Sequence, residues 1–117
     1  MQVLAKLREL ETDMPGLLSD VITTYLRETP GRIDRIIAAV GNGDAKMAEQ
    51  GAHGLKGSSS AMGALKMAKL CEEIERRSEA GNIEACSPLA AALIEEFYRV
   101  NKSLAHELGA LTANTNS

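Results

Sequence analysis

Apolar residues recur at every third or fourth position along most of the chain, a spacing that is typical of amphipathic helices. The pattern forms five segments, whose apolar positions begin at Val3, Leu18, Ala45, Ala64 and Leu89. No stretch shows sustained alternation of β-branched residues, and aromatic residues make up only 3% of the chain. The pattern therefore predicts an all-α protein.

A turn at residues 14–16 separates the first two segments. The first is a short helix that we expect to lie across the end of the other helices, with apolar residues Val3, Leu4, Leu7 and Leu10. Pro15 fits the first turn of the second helix. Pro30 interrupts that helix, but the apolar face resumes beyond it in phase, so we predict one long, kinked helix. The alternative is two helices broken at Thr29.

Turn and cap residues mark the later boundaries. In the segment GNGD at 41–44, a glycine fits the left-handed conformation that ends a helix, and Asp44 fits the cap of the next one. Ser87 followed by Pro88 predicts the start of the last helix, although Asn82 is an alternative cap for an earlier start.

Short connections between long amphipathic helices favour antiparallel neighbours. We therefore expect an antiparallel up-and-down four-helix bundle with an additional short N-terminal helix. The bundle is predicted over residues 1–111, followed by a flexible polar tail over residues 112–117. With 117 residues, of which 44% are hydrophobic, the chain suits one domain with one core.

The distribution of charge excludes several classes of partner. The 13 basic residues are scattered among 16 acidic ones, for a net charge of −3, so nucleic acid is not expected to bind.

No apolar run approaches the roughly 20 residues of a membrane span, and the N-terminus is too charged for a secretory signal. We therefore expect a cytoplasmic protein with no membrane contact, in which Cys71 and Cys86 are buried thiols without a disulfide.

His53 is the candidate reactive residue. Steps of three and four residues define the inward face of its helix, at Ala45, Ala48, Ala52, Leu55, Ser59 and Met62. Because His53 is not among them, we expect its imidazole on the flank of the bundle, facing solvent. The residues that share this outer face, and that we expect to contact a partner protein, are Glu49, Gln50, Gly57 and Ser60.

Two further features suit a reactive imidazole. Gly54 and Gly57 each cost about 1 kcal/mol relative to alanine in a helix interior, a cost that close approach by another protein's backbone would explain. Lys56 lies one turn from the imidazole, where its ammonium is positioned to neutralise an anion attached to the ring. Together these features suit a histidine that carries a phosphoryl group.

The sequence around this histidine resembles a known signature. The matching residues are His53, Leu55, Lys56, Gly57, Ser58 and Gly63. They are similar to the H-x-L-K-G-S signature of histidine phosphotransfer domains, which occur in phosphorelays and in chemotaxis-type kinases. The resemblance covers almost the entire chain, because YLRETPGRI, GNGD, LCEEIE and the final amphipathic helix follow in the order that this family shows.

The resemblance implies that Nε2 of His53 accepts a phosphoryl group from an aspartyl phosphate of a receiver domain, or passes it on to one. It also implies that a polar side chain on the following helix orients the imidazole. Glu75 is the residue that we expect in this role, with Glu72 and Glu79 as alternatives. A carboxylate that accepts a hydrogen bond from Nδ1–H leaves Nε2 as the attacking nitrogen.

The chain has no nucleotide-binding glycine loop and no acidic cluster for magnesium. We therefore expect a phosphocarrier without catalytic turnover of its own and without a bound cofactor, with Mg²⁺ supplied by the partner receiver domain. The expected partners are receiver domains of response regulators or a hybrid sensor kinase, and the protein itself is expected to be a monomer.

Two other functions remain as alternatives. One is a helical docking module that binds a receiver or kinase without chemistry, although the presence of both His53 and Lys56 argues against it. The other is a helical-bundle metal or cofactor protein that uses His53 with His106 or a methionine. Bundle proteins hold metals through inward-facing ligands, so we expect no metal at an outward-facing His53. His106 has no surrounding motif and is expected to be an ordinary surface residue.

Overall fold

The structure is a computed structural model that describes residues 16–115, with side chains through Ala110. Its helices are α1 (Leu17–Gly41), α2 (Ala45–Ala61), α3 (Leu65–Glu79) and α4 (Ser87–Thr115), with a 3₁₀ turn at Ile83–Cys86 before α4. Helices α1 and α3 each pack against both α2 and α4. Over the described residues the chain is therefore the predicted all-α four-helix bundle, with successive helices antiparallel. The predicted N-terminal helix and Pro15 lie outside the described residues.

Helix α1 is continuous through Pro30, so the alternative of two helices broken at Thr29 is wrong. Proline removes one backbone donor from the helix interior. At the preceding position Thr29 is buried, and its hydroxyl donates to the carbonyl oxygen of Tyr25 at 2.6 Å. The apolar face on either side of Pro30 packs into one core, which holds the helix together across the missing bond.

The turn between α1 and α2 forms as predicted. Gly43 has φ of +71°, in the left-handed region that glycine adopts without a steric cost. Asp44 then caps α2, because its Oδ1 accepts a hydrogen bond from the backbone N–H of Met47 at 3.1 Å. This short turn fixes where α2 begins and therefore which of its faces meets α1.

The start of α4 differs from the prediction that Ser87 is its cap. Ser87 has helical dihedrals, φ of −55° and ψ of −50°, and is the first residue of the helix. The preceding 3₁₀ turn follows Asn82, the alternative start, but the Asn82 side chain makes no capping hydrogen bond. Cys86 explains the arrangement, since its buried side chain ties this turn to the core.

At the C-terminal end, α4 runs to Thr115 and so enters the range predicted as a tail, residues 112–117. Residues 110–115 contain neither glycine nor proline, so nothing in the local sequence ends the helix earlier. The division of the chain into a bundle over 1–111 and a tail stays a prediction.

The core runs along the bundle axis and receives side chains from every described helix. Its largest fully buried apolar members are Leu18, Ile22, Ile36, Leu55, Met67, Ile74, Leu93, Val100 and Leu104. Cys71 and Cys86 are buried in the same core as free thiols, which confirms the sequence prediction. Among residues 16–115, no helix has the length and apolar character that crossing a bilayer requires.

Candidate functional site

Helix α2 places His53 on the outside of the bundle. The predicted inward face is buried at Ala48, Ala52, Leu55 and Ser59, and Met62 just beyond the helix is buried as well. His53 lies off this face, and its side chain is 68% exposed. The imidazole is therefore open to a visiting macromolecule, as the spacing of the apolar residues predicts.

Glu75 on α3 lies directly against His53. Its Oε2 atom is 2.7 Å from Nδ1 of His53, and its Oε1 atom accepts a hydrogen bond from Nζ of Lys56, also at 2.7 Å. Burial of Cys71, Ile74 and Ser78 sets the rotation of α3 about its axis, and this rotation turns Glu75 toward α2. The structure thus brings together the three residues that were singled out as chemically active.

The opposite charges of Lys56 and Glu75 stabilise each other. The hydrogen bond from Lys56 is the main cause that lowers the pKa of Glu75 below 4.5, and the hydrogen bond with His53 adds to it against partial burial. The same bond with Glu75 raises the pKa of Lys56 above 10.5. Glu75 is therefore a carboxylate at neutral pH, and a carboxylate can only accept hydrogen bonds. The proton of a neutral His53 ring consequently lies on Nδ1, and Nε2 carries the lone pair.

Lys56 and His53 share one carboxylate. The Lys56 ammonium donates to Oε1 of Glu75, while Oε2 of the same group contacts Nδ1 of His53. The reason is electrostatic, because in the absence of a phosphoryl group the carboxylate is the nearest anion that it contacts.

The alternatives to Glu75 lie elsewhere on α3. Glu72 and Glu79 are both exposed, and neither makes a hydrogen bond to His53 within the described structure. His106 is exposed on α4, as expected for a surface residue. Across residues 16–115, no three histidine, cysteine, aspartate or glutamate side chains are grouped so that they could hold a metal ion.

Small and polar residues surround the imidazole on the outer face of α2. Gln50, Gly57 and Ser60 are exposed, and Glu49 is half-buried. A Cβ atom added to Gly57 would meet no heavy atom within 4 Å. Nothing inside the described structure therefore accounts for this glycine, and the space above it is open to a partner.

The other two glycines of this helix face α1. A Cβ on Gly51 would lie 3.0 Å from Cγ1 of Ile36, so this glycine allows close helix packing. A Cβ on Gly54 would lie 3.1 Å from Nη1 of Arg32, so this glycine makes room for an arginine. Sequence reasoning missed both contacts, because spacing along one helix does not reveal which side chain of a neighbouring helix crosses it.

A third contact that the sequence did not reveal joins α2 to α1 in the core. The hydroxyl groups of Tyr25 and Ser59 are 2.8 Å apart and both residues are buried. Burial raises the pKa of Tyr25 above 10.0, so the phenol remains a neutral hydrogen-bonding group. This bond fixes α1 against α2 at a position six residues along the helix from His53.

Comparison with known proteins identifies the family. The family profile described as the Hpt domain matches residues 20–111. This range includes all of α2 and α3, α1 from residue 20 onward, and α4 up to residue 111. The chain belongs to the Hpt domain family. As an Hpt domain it functions in phosphoryl transfer within a phosphorelay, in which receiver domains are the partners of such domains.

Individual relatives agree with this membership. Histidine-containing phosphotransfer protein 4 of Arabidopsis thaliana is 30% identical over 104 residues, covering 86% of this chain and 82% of the relative. The crystal structure of histidine-containing phosphotransfer protein B from Pseudomonas aeruginosa is similar with a TM-score of 0.83 and 28% identity, over 89% of this chain and 90% of that one. The maize histidine-containing phosphotransfer protein ZmHP2 shares the fold, with a TM-score of 0.73 and 24% identity over 96% of this chain and 83% of that one.

Proposed function

We propose that His53 is the phosphoacceptor of this Hpt domain and that its Nε2 atom carries the phosphoryl group. The observation that supports this most strongly is the 2.7 Å contact between Nδ1 of His53 and Oε2 of Glu75. It occupies one ring nitrogen, while the other has no partner among the described residues. The His53 side chain is 68% exposed, so a receiver domain has access to Nε2.

In the transfer step, the Nε2 lone pair of His53 attacks the phosphorus of an aspartyl phosphate on the receiver. The N–P bond forms as the P–O bond to the aspartate breaks, and the aspartate leaves as a carboxylate. The proton stays on Nδ1, where the Glu75 carboxylate stabilises the positive charge that the ring acquires. Transfer to a second receiver reverses these steps.

Lys56 is the cation that we assign to the transferred group. Before transfer its ammonium shares Glu75 with the imidazole, at 2.7 Å from Oε1. A phosphoryl group carries nearly two negative charges at neutral pH and so competes with a single carboxylate for the ammonium. We propose that Lys56 turns from Glu75 to the phosphoryl oxygens once they are bound to Nε2.

The partner completes the site. Glu49, Gln50, Gly57 and Ser60 surround the imidazole and form the face on which we propose that a receiver docks. We propose that the receiver supplies the Mg²⁺ ion of the transfer step and that this protein is a carrier without turnover of its own. We propose that the protein acts in this way as a cytoplasmic monomer, with direction of flow set by its receivers.

The test uses the two histidines of the chain as a matched pair. Purified wild type, His53→Gln and His106→Gln are incubated with receiver domains carrying ³²P-labelled aspartyl phosphate. Wild type and His106→Gln are expected to acquire label that is acid-labile and stable to base, as a phosphohistidine is, whereas His53→Gln acquires none. Label on His53→Gln, or loss of label from His106→Gln alone, would overturn the assignment.

A further inference from the structure

Arg32 on α1 lies beside the proposed phosphoacceptor site and belongs to none of its described interactions. Its guanidinium crosses α2 at Gly54, the residue after His53, where a Cβ atom would stand 3.1 Å from Nη1. Glycine at this interior position costs about 1 kcal/mol of helix stability relative to alanine. Because glycine has no Cβ atom, it leaves room for the arginine head group against the surface of α2.

The guanidinium of Arg32 has no partner within the described structure. The arginines at positions 76, 77 and 99 each donate to a glutamate of their own helix. Arg32 makes no such ion pair or hydrogen bond, although it is half-buried and its five N–H donors are held close to the bundle. A guanidinium binds most strongly to a planar anion that accepts two hydrogen bonds at once. Since no described residue offers Arg32 such a group, we look for its partner outside the described structure.

The surroundings of Arg32 are basic. It lines a shallow surface cavity together with Arg27, Glu28, Gly31 and Arg35, in which three positive charges face one negative charge. Arg32 also borders a largely apolar groove between α1 and α2, which reaches Tyr25 and Met62 and is lined by Asp20 and Glu28 as well. A partner that fits this region therefore carries excess negative charge where it meets the arginines.

Arg32 and His53 flank the same open surface. Successive residues of a helix point about 100° apart, so His53 and Gly54 face opposite sides of the outermost ridge of α2. Gly57 lies on that ridge, with no heavy atom within 4 Å of its Cβ position. A protein seated over Gly57 is therefore within reach of His53 on the α3 side and of Arg32 on the α1 side.

We infer that Arg32 binds a carboxylate of the receiver domain that docks on His53, and so contributes to receiver recognition. This inference rests on the proposed function. The cavity at Arg32 has three arginines and one glutamate, so it favours an anion, and a carboxylate offers the two coplanar oxygens that a guanidinium contacts. Arg32 is thus a positioning residue for the receiver, whereas His53 bonds to phosphorus.

The experiment compares Arg32→Met with Lys102→Met, which removes one positive charge from the exposed face of α4 and leaves the α1/α2 surface intact. The probe is the Mg²⁺-bound receiver that labels the wild type fastest, and its dissociation constant is measured by calorimetry at low and high salt. We expect Arg32→Met to raise the constant about 10-fold, the value of one charge-assisted hydrogen bond, and to reduce its salt dependence. Lys102→Met is expected to match wild type.

Phosphoramidate is a small donor that phosphorylates imidazoles without a receiver. It therefore distinguishes an arginine that contacts the receiver from one that contacts the phosphoryl group. Unchanged labelling of Arg32→Met by phosphoramidate is expected if the arginine contacts the receiver. Equally reduced labelling would show that it holds the phosphoryl group itself and would overturn the inference. A receiver affinity equal to that of Lys102→Met would also overturn it, while labelling of His53→Gln would defeat the proposed function separately.

A merely structural role for Arg32 is also distinguishable. Arg32→Lys keeps the aliphatic stem and the charge but loses the planar fork, so its thermal midpoint is expected to equal that of wild type while its receiver affinity is intermediate. If Arg32→Met and Arg32→Lys lose affinity only in proportion to lost thermal stability, the arginine supports the helix pair and does not bind the receiver.

Discussion

Replacing Glu75 with glutamine tests the site most sharply, because it preserves shape and removes one charge. The carboxylate offers two oxygens, one to His53 and one to Lys56, each at 2.7 Å. The amide offers a single acceptor oxygen, so one of the two groups loses its partner. Where the imidazole keeps the amide oxygen, a charge-assisted hydrogen bond becomes a neutral one.

The size of the effect follows from this exchange. A hydrogen bond to a charged group is worth about 1 kcal/mol more than a neutral one, and the 68% exposure of His53 keeps the difference near that value. Since the ring gains positive charge only as the N–P bond forms, the loss falls on the transition state. About 1 kcal/mol corresponds to a roughly fivefold slower transfer from the receiver.

Glu73→Gln is the matched control, since Glu73 lies on the same helix and pairs with Arg76 and Arg77 instead of the imidazole. Rapid-quench measurement of phosphoryl transfer at saturating receiver gives the rate for each variant. Equal rates for Glu75→Gln and Glu73→Gln would refute the argument that a carboxylate on Nδ1 assists attack by Nε2.

The same substitution has a pH signature. The pKa of Glu75 is lowered from 4.5, chiefly by the hydrogen bond from Lys56. A carboxyl group with a lowered folded-state pKa stabilises the protein fully above its unfolded value and loses that contribution as the pH falls through the folded value. Acid unfolding of wild type below about pH 4.5 is therefore expected to be steeper than that of Glu75→Gln, as followed by circular dichroism.

Three further outcomes are expected. Gly57→Ala should raise the free energy of unfolding by up to about 1 kcal/mol, since its Cβ enters open space, and by more than Gly51→Ala, whose Cβ meets Cγ1 of Ile36 at 3.0 Å; a larger gain for Gly51→Ala in urea denaturation would contradict this. Burial raises the pKa of Cys71 to about 12, so its thiol should resist alkylation at pH 8 until the protein unfolds, and rapid reaction of the native protein would refute its burial. Asp44→Ala should cost about 1 kcal/mol by removing the α2 cap, and an unchanged urea midpoint would show that the cap contributes nothing.

The parts of the fold that depend on one helix at a time were predictable. The three- and four-residue steps from Ala48 to Met62 determine the buried face of α2, and with it the exposure of His53. Likewise Gly43 and Asp44 encode their turn through backbone conformation and a local hydrogen bond. These features follow from period and propensity, which the sequence contains directly.

The parts that depend on how two helices meet were not fully predictable. Glu75 was preferred over Glu72 and Glu79, but only the packing of α3 on α2 determines which carboxylate reaches the imidazole. The contact between Arg32 and Gly54 joins residues whose positions in the chain give no sign of their proximity. Helix register and side-chain reach across an interface are set by the packed core as a whole, so they emerge only in three dimensions.

The central claim is that Nε2 of His53, and not Nδ1, forms the bond to phosphorus. Two-dimensional ¹H–¹⁵N spectra of ring-labelled protein, recorded before and after phosphorylation by a receiver, distinguish the two nitrogens directly. The account predicts ³¹P coupling to Nε2 of His53, with the Nδ1 proton retained against Glu75. Coupling to Nδ1, or changes confined to the ring of His106, would contradict it.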